Sequence, residues 1–510
     1  MERRCQRTRI EIPNDTGFRP MVGDYTAALA AHWGFSTAVA GRIRKAVEEA
    51  LGIVFDFAFE NGQRGRLDLI FERAEGGIRI VLHDEGLPLD PGVSGAVEGD
   101  PSEACDLDGP CARLFALRRW VEEVRFDQLG HRGKSITLVQ PAVEGDPPSQ
   151  GDACPADDPD AGPSYEPLPE RDGEAITVRA MAPTEAVAVA RCIYKSYGYT
   201  YPYHHVYDPR KIAAMNREGT LYSALAVDAA GEVAGHCALQ FHEGEPMIAE
   251  MAQGVVAPEY RSLGILQRLT EHLLGEARHR RLLGVYARPV TLHDRSQRVG
   301  HRYGMTDCGL QLAMIPGKTR FAAMPQSDGE RVSMMLQFRY LNPPKTLAIH
   351  CPSRHRDMIV RLYRRLGVPH LPRSIHRKGR RLQGSPHFRV RVVDAMRYAC
   401  IEITAYGRGI VEIVASRLQE LCLERIEIIH LFLDLFDTRT AAVAEDFERI
   451  GFFFSGILPG GLRGRDALIL QYLNNVAVTQ KTIQTHSSLA GDLVSYVFQK
   501  GRHAGVLHGR

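Results

Sequence analysis

The chain is 510 residues long, and its 44% hydrophobic and 24% charged residues are typical of a soluble globular protein. This length exceeds what one hydrophobic core supports, so we expect about three domains. The net charge of +2 excludes a general attraction to nucleic acid or membranes. No apolar run resembles a signal peptide or a membrane span, and the ten cysteines lack metal-site spacing, so we expect a cytoplasmic protein with reduced thiols.

The first predicted unit, residues 1–142, combines helices with strands. Apolar periodicity predicts its elements, which are a strand at 9–12, helices at 21–33 and 37–60, strands at 66–72 and 77–83, a helix at 112–123 and a strand at 135–139. An Asp84-Glu85-Gly86 turn follows the second hairpin strand, and the glycine-bearing segment 130–134 precedes the last strand.

This order of elements resembles the anti-sigma-factor serine kinases of the GHKL ATPase superfamily across nearly the whole unit. The resemblance implies an α/β sandwich in which an Asp-x-Gly turn holds adenine and a glycine-bearing segment covers the phosphates. On the second helix the family has Glu-x-x-x-Asn, with the glutamate as base and the asparagine as magnesium ligand. The nucleotide-binding residues implied here are Glu49, Asp84, Gly86, Gly130, Gly133 and Lys134.

The position of the magnesium-binding asparagine is Ile53 in this chain. Isoleucine offers no oxygen to a hard cation. This residue therefore argues against magnesium-dependent phosphoryl transfer, and we expect no metal site in the protein. Two interpretations stay open: a degenerate site for ATP, or a docking module that no longer binds nucleotide. By the resemblance, the partner of this unit would be a sigma factor or an anti-anti-sigma protein.

Residues 143–172 are dominated by proline, aspartate and glycine. They carry too few apolar residues to offset the entropy lost on ordering, and their like charges repel one another. We expect an extended acidic linker between two domains.

The second predicted unit, residues 173–322, begins with a strand and a helix at 183–196. An aromatic run follows, which either lines an acceptor pocket or packs flat on the core, and it contains Tyr197, Tyr199, Tyr201, Tyr203, His204 and His205. The remaining predicted elements are strands at 223–228, 232–240, 251–256 and 283–287 and a helix at 294–303.

The most informative stretch of this unit is residues 248–277. A buried strand leads into a glycine-containing turn and then into an amphipathic helix, with Leu266, Leu269, Leu273 and Leu274 on one face. The first N–H groups of such a helix are unpaired, and the positive end of the helix dipole lies behind them. This arrangement predicts a pyrophosphate site.

Here the chain resembles the GNAT superfamily of acetyl-CoA-dependent N-acyltransferases. The segment Val256-Ala257-Pro258-Glu259-Tyr260-Arg261 matches the V-x-P-x-x-R lead-in, and Arg261 and Gly264 match the Arg/Gln-x-x-Gly-x-Gly/Ala motif; Leu266 stands where the family has Gly or Ala. The resemblance implies acetyl-CoA as cofactor. The residues implied to bind it are Val255, Val256, Arg261, Ser262, Leu263, Gly264, Ile265 and His293, the last contacting the pantetheine arm.

Acyl transfer to an amine needs a base for the amine and benefits from an acid for the departing thiolate. Glu250 opens the predicted strand, and we take it as the candidate base; the alternative is a solvated carboxylate. The family often has a tyrosine acid at the position that is Gly300 here, and Tyr303 is the nearby candidate. A thiolate leaves readily without an acid, so this departure bears on rate more than on reaction type.

Residues 323–478 repeat the rhythm of the second unit and resemble a second, degenerate GNAT copy, so residues 175–475 would form a tandem. Its opening strand is predicted at 334–341, and its turn contains Gly407 and Gly409 without the Arg-x-x-Gly frame. We interpret it as mainly structural. The basic run 373–381 is interpreted as a solvated loop, because no aromatic stacking pattern accompanies it. Residues 479–510 are predicted as a tail with a short helix at 488–499.

The fold class predicted is therefore α/β (α+β) and multidomain: a GHKL-like α/β sandwich and two GNAT-like mixed-sheet domains. The preferred function is acetyl-CoA-dependent transfer of an acetyl group to an amine, with a regulatory ATPase-like domain. The acceptor is a small molecule or a protein lysine. The alternative is an anti-sigma-type regulatory protein with vestigial acyltransferase domains, and serine kinase activity is the third hypothesis.

Overall fold

The computed structural model describes residues 7–60, 63–74, 77–92, 95–98, 108–142, 176–317, 319, 329–373 and 382–504. It confirms the predicted fold class, because helices cover antiparallel and mixed sheets in an N-terminal unit followed by two related units. The predicted linker 143–172 and most of the basic run, residues 374–381, lie outside the described residues.

The N-terminal unit is an antiparallel sheet with helices packed against it. Its strands are β1 Arg7–Pro13, β2 Arg66–Ala74, β3 Gly77–Asp84, β4 Gly95–Ala96, β5 Glu123–Gln128 and β6 Lys134–Pro141, and its helices are α1 Phe18–His32, α2 Thr37–Phe57 and α3 Pro110–Ala116. The strand order is β1-β2-β3-β6-β5-β4. Helix α2 begins where the Ser36 hydroxyl accepts from the Val39 N–H, and it buries one apolar face against the sheet.

One prediction for this unit is wrong. The helix expected over 112–123 ends at Ala116, and after a short 3-10 turn the chain enters β5 at Glu123. Val124 and Phe126 of β5 are buried while their neighbours face outward. This alternation over six residues is the signature of a strand with one face on the core.

The rest of the chain forms one larger body. The elements that follow the linker are β7 Thr177–Ala180, α4 Ala186–Tyr197, α5 Pro209–Glu218, β8 Leu221–Val227, β9 Val233–Gln240, β10 Ile248–Val256, α6 Ile265–His279, β11 Gly284–Ala287, α7 Arg295–Arg302, β12 Thr306–Ile315 and β13 Val332–Tyr340. They continue with β14 Leu347–His350, α8 Arg356–Leu366, β15 His370–Arg373, β16 His387–Val393, β17 Tyr398–Ala405, α9 Ile410–Leu423, β18 Ile428–Asp434, α10 Thr440–Arg449, β19 Phe453–Leu462, β20 Arg465–Leu473 and α11 Ser488–His503.

A single sheet of twelve strands runs through this body, in the order β16-β17-β18-β20-β19-β12-β13-β11-β10-β9-β8-β7. Its two halves repeat one pattern. In the first half β10 and β11 are parallel and the flanking pairs are antiparallel, and in the second half β17 and β18 take the same places. The equivalent strands β12 and β19 join the halves at Gly309 and Gly456. A Cβ on Gly309 would lie 2.8 Å from the Gly456 Cα, so only glycine permits this contact.

The strand predicted to open the second copy belongs to the first. Strand β13 lies between β11 and β12, with Tyr286 opposite Phe338 and Gln311 opposite Met334. The sequence does not show to which half of the sheet β13 belongs, because an apolar strand is compatible with either half. Only its backbone pairing with neighbouring strands assigns it. The first copy therefore extends at least to Tyr340, beyond the boundary drawn at 322.

The predicted tail carries a helix that is part of the core. Helix α11 runs four residues beyond the predicted end at 499 and packs against both β12 and β19. Leu493 and Val497 are completely buried, and the Ser487 hydroxyl donates to Asp307 at 2.5 Å. The helix therefore covers the junction between the halves.

Candidate active site

The central feature of the first half is a cleft between β10 and β11. These two strands are paired only from Ile248 to Glu250 on β10. The register of β10 then shifts between Ala252 and Val255, where Gln253 has a φ of 56°. Beyond this bulge the strands part around a cavity of about 380 Å³, which is lined by residues 250–254 on one side and 287–290 on the other. Bulges of this kind redirect the backbone next to functional sites.

The turn that follows β10 carries the predicted pyrophosphate motif. Ser262 and Gly264 have φ values of 71° and 70°, and Gly264 caps helix α6 with no side chain bonded to the helix start. Arg261, Ser262 and Leu263 are exposed. An exposed helix start without a side-chain cap leaves N–H groups available to an anion. Leu266, in the first turn of α6, lines the cavity, so the cleft begins beside this turn.

The other predicted cofactor residues divide between core and cavity. Val255 and Ile265 are buried in the core, so only their backbone groups are available to a ligand, and Val256 is half-buried. His293 lines the cavity, and neither of its buried ring nitrogens has a hydrogen-bond partner among the described residues. Since an unsatisfied buried polar atom is costly, His293 is suited to a polar ligand.

Glu250 lies at the point where the strands part, buried in an ionic cluster. It accepts from Arg288 Nε at 2.8 Å and from a terminal Arg288 nitrogen at 2.6 Å, and His242 Nε2 lies 2.8 Å from its Oε2. Burial acts to raise the pKa of the Glu250 carboxyl, but Arg288 and His242 outweigh it and lower that pKa to about 2. Glu250 is therefore ionised at neutral pH and is a weak proton acceptor.

Sequence reasoning missed Arg288 and His242. The register of the parallel pair β10–β11 brings Arg288, which follows β11, beside Glu250 near the start of β10, and the sequence does not specify that register. His242 follows β9, and β9 and β10 are adjacent with Gln240 opposite Glu250. Nothing in the sequence singles it out from the other histidines.

The structure does not bring Tyr303 together with Glu250. The Tyr303 hydroxyl donates to Glu271 at 2.8 Å on the outer side of α6, and Tyr303 does not line the cavity. Burial and then Glu271 raise its pKa to about 12. Gly300, at the family's tyrosine position, does line the cavity, and a Cβ there would lie 2.1 Å from Gln337 Oε1. A side chain at this position requires the buried Gln337 amide, which donates to Asp307, to move.

The tyrosines of the aromatic run divide between the cleft cavity and the core. Tyr197, Tyr201 and Tyr203 line the cleft cavity. Tyr199 instead points away, and its hydroxyl donates to the Gly86 carbonyl of the N-terminal unit at 2.8 Å.

A second, smaller cavity of about 130 Å³ adjoins the cleft. Tyr203, Arg288 and Met396 line both cavities. The smaller one also has walls from the second half of the sheet, including Arg391 and Phe432. The second half therefore completes a chamber next to the Glu250 cluster.

In the predicted adenine turn of the N-terminal unit, the Asp84 carboxylate is hydrogen-bonded to other groups of the protein. Asp84 is 3% exposed, and its Oδ1 accepts from Lys134 Nζ at 2.5 Å and from the Gly86 N–H at 2.9 Å. Both turn glycines lie against backbone: a Cβ on Gly86 would lie 2.2 Å from the Ala58 oxygen, and one on Gly133 would lie 2.2 Å from the Asp84 oxygen. The carboxylate that would accept from adenine is thus already bonded to a buried ammonium.

The remaining predicted nucleotide residues are also engaged. Glu49 pairs with Arg119 at 2.7 Å, and Ile53 is buried. A Cβ on Gly130 would lie 2.2 Å from His204 Nδ1 of the following unit. In the described part of this unit, the donor set does not fit ATP with magnesium: the adenine acceptor is neutralised and the metal ligand is an alkyl group.

Among the described residues, no group of three or more His, Cys, Asp or Glu side chains is arranged to hold a metal ion. Within the same residues, no helix combines the length and the apolar character needed to cross a bilayer.

Comparison with known proteins supports the division into units. The profile of the histidine kinase-like ATPase domain matches residues 16–140, and that of the acetyltransferase (GNAT) family matches residues 188–305. A search of curated proteins finds no match.

Solved structures similar to part of the chain are acetyltransferases. The ribosomal-protein-S18-alanine N-acetyltransferase of Escherichia coli is 15% identical, with 33% of this chain and 96% of that chain covered and a TM-score of 0.27. A putative acetyltransferase of Salmonella typhimurium, solved with acetyl-CoA, is 16% identical, with coverages of 34% and 96% and a TM-score of 0.28. The ribosomal-protein-alanine N-acetyltransferase of Brucella melitensis is 18% identical, with coverages of 32% and 99% and a TM-score of 0.27. At these values the similarities carry no argument about substrate.

The local geometry and the two profiles agree on where each unit lies. The profile at 188–305 spans the bulged strand, the uncapped turn and helix α6, while the one at 16–140 spans the antiparallel sheet with α1 and α2. The chain therefore carries a histidine kinase-like ATPase domain followed by an acetyltransferase domain of the GNAT family.

Proposed function

We propose that this chain is an acetyl-CoA-dependent N-acetyltransferase. The observation that carries the proposal is the cleft between β10 and β11, which extends from Leu266, just after the uncapped turn before α6, to Glu250. A long ligand with an anionic end and a reactive end requires such a cleft.

The residues present fit acetyl-CoA. Backbone N–H groups of the turn from Arg261 to Ile265 and the exposed Arg261 side chain would hold the diphosphate. The unpartnered ring nitrogens of His293 and the bulged backbone at Gln253 would hold the amide-containing arm. When bound, the cofactor supplies an activated acyl thioester.

His242 is our candidate for the group that takes the proton from the acceptor ammonium. It lines the chamber and lies 2.8 Å from the Glu250 carboxylate, so Glu250 orients the ring. Glu250 then acts as a positioning residue, and Arg288 keeps it ionised. The new bond joins the amine nitrogen to the acyl carbon, and the bond from that carbon to sulfur breaks. The nitrogen loses its second proton to solvent as the amide forms, and the thiolate takes a proton from solvent, since position 300 has no acid.

The kinase hypothesis is not supported by the described residues. Ile53 lacks an oxygen for magnesium, and Asp84 is bonded to Lys134. The acetyltransferase proposal does not depend on ATP.

Calorimetry with CoA tests the proposal. Gly264→Glu places a negative charge and a side chain in a left-handed position at the phosphate turn, so we expect CoA binding to be lost. Gly275→Glu is the matched control, because Gly275 is exposed on the same helix and a Cβ there meets nothing within 4 Å. Equal CoA affinity in the Gly264→Glu variant and the wild type would refute the proposal.

A further inference from the structure

The chamber beside the Glu250 cluster is lined by polar atoms that have no partner. Arg391 Nε and Gln311 Oε1 are buried and make no hydrogen bond to any described residue. A buried polar atom without a partner is destabilising, so these atoms indicate a polar ligand.

The charged groups around the chamber differ in how fully they are hydrogen-bonded. Arg288 neutralises Glu250 through two hydrogen bonds. Among the described residues, the Glu245 carboxylate accepts one side-chain hydrogen bond, from the Tyr286 hydroxyl at 2.8 Å. Burial acts to lower the pKa of Arg391, but neighbouring groups including Glu245 and Glu402 raise it. A cation and an anion on one ligand would satisfy both signs of charge.

The other walls of the chamber are mostly apolar. Apolar side chains from both halves of the sheet make up much of the remaining wall, beside Gln240 and Tyr398, and these are Met314, Leu336, Val393, Met396, Phe432 and Leu458. Together with the small volume of about 130 Å³, these walls favour a compact ligand with an apolar side chain over the extended backbone of a protein.

We propose that the chamber binds the acceptor as a free α-amino acid with an apolar side chain. Arg391 receives the carboxylate, while Glu245 and Gln311 hold the amino group beside His242. This inference rests on the proposed acetyltransferase function and names its acceptor. A lysine side chain of a protein would present no carboxylate to Arg391.

Initial rates of CoA thiol release test this acceptor class. The panel contains leucine, methionine and phenylalanine, their carboxamides, their decarboxylated amines, and Nα-acetyl-lysine methylamide as a mimic of a protein lysine. We expect the free amino acids to have the highest kcat/KM. In Arg391→Gln that value should fall about 10- to 100-fold through KM, as expected for loss of a charge-assisted contact, while the carboxamides are unaffected.

The matched control is Arg389→Gln, because Arg389 lies on the same strand but pairs with the exposed Glu243. It should leave the preference unchanged, and both variants should keep the wild-type KM for acetyl-CoA. Equal or faster reaction of the carboxamides, the amines or the lysine mimic would overturn the inference, as would CoA binding without turnover of any amino acid. Failure of the wild type to bind CoA would instead overturn the proposed function.

A second, independent inference concerns the adenine turn of the N-terminal domain. This turn is bonded to helix α4 and the aromatic run of the transferase: Tyr199 donates to the Gly86 carbonyl and Tyr194 to the Glu85 carbonyl, both at 2.8 Å. Leu87 is buried in the core of the transferase domain. The backbone that would lie along adenine therefore lies along two tyrosines.

The glycine-bearing segment makes a similar contact. The ring of His131 stacks on that of His204 with 3.9 Å between centroids, and its Nε2 lies 2.6 Å from the Tyr201 carbonyl. Tyr201 lines the cleft of the transferase. Contacts of the N-terminal domain thus reach a wall of the candidate active site directly.

We infer that the ATPase-like domain does not bind ATP and instead positions the aromatic wall of the transferase cleft. The Asp84 carboxylate, which would accept from adenine, is bonded to Lys134. The backbone carbonyls of the same turn accept hydrogen bonds from Tyr194 and Tyr199. His131 is the positioning residue nearest the cleft.

Thermal shift and kinetics of the full chain test this inference. ATP, with or without magnesium, should leave the melting temperature unchanged. His131→Ala should raise KM for acetyl-CoA or the acceptor several-fold with the same melting temperature, whereas His32→Ala, an exposed histidine at the end of α1, should change neither. Stabilisation by ATP would overturn the inference, and so would wild-type kinetics in both His131→Ala and Tyr199→Phe.

Discussion

Replacing Lys134 by methionine should destabilise the N-terminal domain strongly. Lys134 and Asp84 are 1% and 3% exposed, and their charged atoms are 2.5 Å apart. Methionine keeps most of the side-chain volume, so the variant removes the charge without opening a large cavity. The Asp84 carboxylate is then buried without a cationic partner, and such a loss costs about 3–5 kcal/mol.

The double variant Asp84→Asn/Lys134→Met separates charge from packing. Asparagine still offers an oxygen to the Gly86 N–H, which donates to Asp84 in the wild type, but it carries no charge. Because a buried ion pair replaced by neutral groups of similar volume is often near-neutral in stability, we expect the double variant to lie within about 1 kcal/mol of the wild type.

Urea unfolding followed by tryptophan fluorescence measures this effect in the right place. The chain has two tryptophans, Trp33 and Trp120, and both lie in the N-terminal domain. A Lys134→Met variant within about 1 kcal/mol of the wild type, or a double variant less stable than the single one, would refute the reasoning that Asp84 depends on its buried partner Lys134.

Three further predictions concern the transferase domain. His242→Gln should lower kcat by about 10² or more, the usual contribution of a general base, while its affinity for CoA, measured by calorimetry, stays unchanged. The control is His279→Gln, at the exposed end of α6. A wild-type kcat in His242→Gln would exclude the assigned role. Gly300→Tyr should weaken CoA binding and lower kcat instead of restoring an acid, because a Cβ there lies 2.1 Å from Gln337 Oε1, and a faster enzyme would contradict this. The bond to Asp307 raises the pKa of His301 above 6.5, so its stabilisation is complete below pH 6.5 and is lost as pH rises through the folded-state pKa. The melting-temperature difference between wild type and His301→Gln should therefore shrink with rising pH, and a constant difference would contradict the pairing.

The motif around Gly264 could be read from the sequence because its information is local. A strand, a left-handed glycine and an amphipathic helix are each specified by residues within one stretch. The binding roles of Arg261, Gly264 and His293 and the catalytic role of Glu250 remain predictions. Only the structure locates Glu250 between Arg288 and His242, contacts that span strands from three parts of the chain.

The amino-acid sequence by itself determined the families of the two domains, their order and most of their helices and strands. Hydrophobic periodicity and turn-forming residues extend over only a few positions, so they can be recognised in the sequence alone. Tertiary structure alone decided that β13 belongs to the first copy and that α11 covers the junction between the two halves. It also decided that Lys134 is hydrogen-bonded to Asp84 and that the second copy supplies a wall of the chamber. Each of these features depends on contacts between segments that are distant in the sequence. The free energy of those contacts comes from side-chain burial and strand pairing, which no local sequence pattern encodes.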